Sequence, residues 1–113
     1  MKITRLNEAV QYTPPKHTGV FSMHLQHRTL GSESPYWVGC SYYLPGAKAD
    51  WDASPLHKVY IVLEGELTVA FEGQDHKLKP MDSIWIGPNE NRQVRNDTNQ
   101  VVTMLVVMPY PPQ

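Results

Sequence analysis

Short runs of β-branched and aromatic residues, broken by turn clusters roughly every 8 to 12 residues, are what most constrain this chain. "KVYIVL", "ELTVAFE", "SIWIG" and "VVTMLVVMP" are too short and too rich in Val, Ile, Tyr and Trp to favour helix. The turn elements "PGAK", "EG", "EGQD" and "PNEN" separate them, and ten prolines and seven glycines are spread along the chain rather than pooled in a linker. "VFSMHLQHRTL" alternates, with Val20, Ser22, His24 and Gln26 on one face and Phe21, Met23 and Leu25 on the other. "KVYIVL" is apolar on both faces and reads as a central strand, whereas "ELTVAFE" turns Leu67, Val69 and Phe71 inward. Eight or nine such strands predict an all-β sandwich or closed barrel.

A length of 113 residues fits one domain, 1–113. No apolar run approaches the roughly 18 residues of a membrane span, and the charged start "MKITRLNEAV" is not a secretory signal. With 10 Lys plus Arg against 11 Asp plus Glu and no basic cluster, there is no case for nucleic acid. Cys40 stands alone, so no internal disulfide forms, and a cytoplasmic setting is expected. The end, "PYPPQ", reads as a surface-bound or frayed polyproline-like tail.

"VYIVLEGELTV" followed by "LKPMDSIWIGPNENRQVRN" resembles the core of a small single-domain cupin of the RmlC-like kind, over about residues 44–108, and that resemblance implies a double-stranded β-helix, the jelly-roll barrel. The first cupin motif is Gly, five residues, His-x-His, three or four residues, Glu, six residues, Gly. Aligned on Gly46, its two His positions fall on Asp52 and Ser54, its Glu on Lys58 and its last Gly on Gly65. In the second motif, aligned on Asn96, the His position falls on Arg92 and the Gly and Pro positions on Met81, Gly87 and Asn89. Fifteen residues, Glu66 to Pro80, separate the two motifs. The resemblance implies the fold and a site at the barrel mouth, but every expected metal ligand is replaced.

That replacement carries physical consequences. A cupin cation is held by imidazoles and a carboxylate, whereas Lys58 and Arg92 are fixed positive charges with no lone pair while protonated. Each would repel a cation at about 4 Å by roughly 4 kcal/mol at an effective dielectric of 20. No metal and no other cofactor is therefore expected. Two readings of the site remain open. In one, Asp52, Lys58 and Arg92 form an ion-pair cluster that plugs the mouth of a non-catalytic binding or sensor module. In the other, one carboxylate against two cations leaves a pocket for a small organic anion. Arg92 clamps that anion, Lys58 is general acid or oxyanion stabiliser, and Asp52 is orienter or base.

His57 should face away from Lys58 along a strand, unless a bulge near Pro55 reverses it and makes it the acid or base. His24 and His27, three apart, should lie on opposite faces, and His17 and His76 sit in polar turn-like stretches. Tyr60 shares parity with Lys58. Together with Ser54, Trp51, Tyr43, Trp85 and Met104 it is expected to line the ligand pocket, which suits a flat aromatic or unsaturated acid. The chemistry expected is metal-independent proton transfer of isomerase, cyclase or lyase type. A metal cupin with ligands shifted to His57 and Asp52 is a weaker alternative. A homodimer is expected through strands apolar on both faces, with "VFSMHLQH" as an exposed edge.

Overall fold

The computed structural model describes residues 1–112 and is all-β. Nine antiparallel strands run as β1 (Val10–Tyr12), β2 (His17–Gln26), β3 (Tyr36–Asp52), β4 (Lys58–Glu64), β5 (Leu67–Phe71), β6 (Gln74–Leu78), β7 (Ser83–Ile86), β8 (Arg92–Arg95) and β9 (Val102–Pro109), with two single-turn 3-10 helices near the N-terminus. They form one curled sheet in the order β6-β5-β8-β3-β9-β4-β7, with β1 and β2 added beside β3. Its ends, β6 and β7, do not pair, so the barrel has an open seam. The expected jelly-roll barrel is present.

The core is the inward parity of these strands. Tyr43, Val62, Leu67, Val69, Val94 and Val102 are each at most 1% exposed. The longest strand carries the main departure from sequence reasoning. "PGAK" does not close a hairpin: β3 runs through it, bent at Gly46, whose φ of +80° is open to glycine at no steric cost. Before the bend β3 pairs with β9, and after it with β8. One strand thus serves both halves of the barrel and delivers Asp52 opposite Arg92 across a bulge.

Two further expectations are corrected. β4 is not covered on both sides: Leu63 is 38% exposed on its outer face. "VFSMHLQH" is not a free edge, because β1 covers the stretch from Ser22 to His24. Of the tail, Tyr110 is tied down, its hydroxyl accepting from the Arg28 backbone N–H at 2.7 Å with the Arg28 guanidinium 3.8 Å over its ring; Gln113 lies outside the described residues. No helix among the described residues is long and apolar enough to cross a membrane.

Candidate active site

The retained motif residues form a structural clasp. Asn96 is fully buried, and its amide donates to the carbonyls of Tyr43 (2.9 Å) and Gln100 (2.7 Å). Its Oδ1 accepts from the Thr98 backbone N–H and hydroxyl. Both donors and both acceptor positions are therefore used, and its backbone exchanges bonds with Gly46 and Ala47. Gly65 has φ +81°, and a Cβ there would lie 2.9 Å from the Val101 carbonyl oxygen.

The replaced positions behave differently. The Asp52 carboxylate turns to the rim and pairs with Lys16 at 3.3 Å, which holds its acid strength above that of an ordinary carboxylic acid. Arg92 is 6% exposed and meets only the backbone of Asp52, donating from Nη1 to the carbonyl at 2.7 Å. The ion-pair plug of Asp52, Lys58 and Arg92 does not form, because the one carboxylate is taken by a cation from outside the motif. Ser54 is corrected too: its hydroxyl accepts from the Leu56 N–H at 3.1 Å and shapes the loop before β4. His57 follows strand parity outward, where its Nδ1 accepts from the Trp85 indole N–H at 3.1 Å and the two rings stack. It turns to Trp85 rather than to the lumen, and the Asp52 carboxylate turns to Lys16 rather than to His57.

Two cavities lie about the replaced positions, one lined by Lys58 and the other by Arg92. The lumen cavity, about 320 Å³, is walled by Tyr12, His17, His24, Tyr43, Lys58, Tyr60 and Met104, among others. Lys58, Tyr43, Tyr60 and Met104 all line it, Tyr60 on the same parity as Lys58. No Asp or Glu lines this cavity. Lys58 has no salt-bridge partner among the described residues. Burial, then the nearby Arg92 charge, lower its pKa from 10.5 to about 8, against a smaller opposing pull from Asp52. Arg92 Nη2 donates to the Tyr60 hydroxyl at 3.3 Å. With that oxygen's lone pair engaged, the Tyr60 O–H proton is free to be donated elsewhere.

The N-terminal strands supply what sequence reasoning missed. Burial holds the His17 ring below its usual pKa, only partly offset by its hydrogen bond to the Pro15 carbonyl (2.6 Å), and Lys58 and Arg92 depress it further. Burial raises Tyr12 to about 12. The bulge between His24 and Gln26 brings His24 and His27, expected on opposite faces, into a stack 3.8 Å apart. Desolvation, with His27 adding to it, lowers His24 to about 4. Nothing local in "QYTPPKH" announced a pocket, since these residues reach the lumen only through pairing of β1 and β2 onto β3.

The wider cavity, about 520 Å³, opens at the seam. Trp51 and Trp85, expected in the ligand pocket, line this one instead, with Phe71, Glu72, Glu90, Asn91 and Arg92.

Residues 41–108 match the Cupin_2 family, described as a cupin domain. The chain is a cupin. This cupin is 37% identical over 111 residues to a protein named β-D-galactosidase from Mycobacterium tuberculosis, covering 98% of this chain and 96% of the relative. Its fold is similar to that of the polyketide cyclase RemF of Streptomyces resistomycificus, with a TM-score of 0.86 at 19% identity over 99% of this chain and 82% of the other. It is also similar to a sugar phosphate isomerase from Silicibacter pomeroyi, with a TM-score of 0.78 at 23% identity over 98% and 77%. At those identities the two structures bear on the fold alone.

A metal of the usual cupin kind does not fit the donors of this cupin. The motif positions offer a rim carboxylate already paired, a hydroxyl engaged by backbone, and two cationic side chains. Among the described residues no three His, Cys, Asp or Glu side chains converge. The lumen can instead offer hydrogen-bond donors and one amine that changes charge near neutral pH.

Proposed function

We propose that the lumen binds a small organic anion and moves a proton on it without a metal. The observation that supports this is Lys58: an amine with a pKa of about 8, facing a cavity with no carboxylate in its walls. The cavity is walled by Tyr12, Tyr43, Tyr60 and Met104, which suits a flat, partly apolar ligand. An acidic group would be met by the Tyr60 O–H with the Arg92 charge behind it, which leaves the Lys58 amine free for the proton step. Arg92 acts on the ligand through Tyr60 and by its charge rather than as the direct clamp expected from the motif alignment. The neutral Lys58 amine takes a proton from a carbon beside a carbonyl, the charge passes to the enolate oxygen, and the ammonium returns the proton at a second position.

Phenylpyruvate, an enolisable aromatic acid, is a suitable probe. In deuterium oxide its C3 protons should exchange at a rate that rises with pH to a plateau with a midpoint near 8. Lys58→Met should slow this at least about 100-fold with binding largely kept. Exchange untouched by Lys58→Met would overturn the reading, and loss of affinity alone would favour a metabolite sensor.

A second reading is favoured by the β-D-galactosidase relative. Hydrolysis of a glycoside ordinarily uses two carboxyl groups, one protonating the leaving oxygen and one acting as base or nucleophile. The lumen has none, but Glu72 and Glu90 both line the seam cavity. Release of nitrophenolate from p-nitrophenyl β-D-galactoside, lost in Glu72→Gln and in Glu90→Gln, would establish this reading. Release that survives both substitutions would remove it.

Self-association is part of the proposal. Phe21, Tyr42, Cys40, Met23, Leu105 and Ile61 share the outer face of β2, β3, β9 and β4, the face opposite the lumen. Light scattering at micromolar concentration should report twice the 12.9 kDa chain mass.

A further inference from the structure

The seam cavity has the chemistry of a carbohydrate site, and nothing in the cupin motifs assigns it. Trp51 and Trp85 are 44% and 64% exposed, so both indoles are open to a ligand in this cavity. Trp85 is held rather than loose: its indole N–H is bound by His57, and the imidazole stacks against it with an interplanar angle of 17°. A fixed indole in a cavity wall is a platform for the C–H face of a ring. Around it stand acceptors on Glu72 and Glu90 and both donor and acceptor on Asn91. Arg92 lines the same cavity from a buried position. Its Nε is the one buried side-chain nitrogen or oxygen among the described residues without a hydrogen-bond partner.

Charge separates this cavity from the lumen. Two carboxylates against one guanidinium disfavour an organic anion, while flat aromatic walls with hydrogen-bonding groups of both kinds favour a neutral polyhydroxylated ring. We propose that the seam cavity binds a neutral pyranoside, one ring face on Trp85 and Trp51 and its hydroxyls held by Glu72, Glu90, Asn91 and Arg92. This takes its choice of cavity from the glycoside reading but does not require hydrolysis. His57 becomes a positioning residue that fixes the Trp85 indole.

The test uses methyl β-D-galactopyranoside, which gives no chromogenic signal and so reports binding alone. Titration should change tryptophan emission and release heat in calorimetry. Trp85→Ala and Trp51→Ala should each weaken binding at least 10-fold, and His57→Ala should weaken it less, with partial rescue by His57→Gln. Phe21→Ser, on the opposite outer face, should leave it unchanged. Since both tryptophans are exposed, neither substitution should unfold the chain, and circular dichroism checks this. Binding that is absent, or indifferent to both tryptophans, overturns the inference, as does displacement of the sugar by an equimolar aromatic acid such as phenylacetate. Binding without release from the nitrophenyl glycoside leaves the inference standing and removes only the hydrolytic reading. Release in both tryptophan variants at the unsubstituted rate removes the inference and leaves hydrolysis.

Discussion

The Gly46–Asn96 clasp and the Lys58–Tyr60–Arg92 group sit on the same two motifs yet follow opposite rules. The clasp keeps the cupin residues, and all its polar atoms are satisfied inside the protein. The second group has replaced them and leaves groups unsatisfied: an ammonium without a carboxylate partner and a guanidinium with an open Nε. A fold needs internal closure, whereas a binding site needs groups that the fold has not closed. Stability should therefore fall on changing the clasp and rise on changing the site.

The sharpest way to break this contrast is Asn96→Ala. It strands the Tyr43 and Gln100 carbonyls and the Thr98 N–H, and should lower unfolding free energy by about 3 kcal/mol in urea titration. An unchanged midpoint would mean that the clasp is ornamental. Gly65→Ala combines a positive φ with an approach to the Val101 carbonyl and should cost about 2 kcal/mol.

Lys58→Met should move the other way. The native amine's pKa lies below its unfolded value, so the charged form destabilises the fold wherever it is populated. The wild-type chain bears the full burden below about pH 8 and none above about 10.5. Discounted for partial solvation, the variant should gain about 1 to 2 kcal/mol at pH 7, and the gain should vanish as pH rises past 10.5. A destabilised variant would mark Lys58 as structural. The smallest effect belongs to His24, also depressed, from 6.5 to about 4. It favours the fold fully above pH 6.5, and its contribution is lost as pH falls toward 4. With solvent screening this is worth about 1 kcal/mol or less, read as the difference in acid midpoint between wild type and His24→Phe.

Legibility followed the same division. Strand parity placed Tyr60 beside Lys58 on the lumen because a period of two is enforced by the backbone itself. It failed for Asp52, whose neighbour Lys16 comes from 36 residues away, and for Trp51 and Trp85, which serve a cavity created by two strands that do not pair. Glu72, Glu90 and Asn91 looked like turn residues and are also that; only closure of the barrel brings the β5–β6 turn and the β7–β8 loop into one wall.

By itself the sequence determined the all-β barrel, its inward set and the loss of the cupin metal ligands, because alternation, turn chemistry and side-chain charge are local properties. Which charges meet, which carboxylate is already spoken for, and that there are two cavities, one walled by carboxylates and one without any, were decided by the tertiary structure. Those facts depend on the bend at Gly46, the bulges of β2 and β3 and the unpaired seam, each set by contacts between residues far apart along the chain.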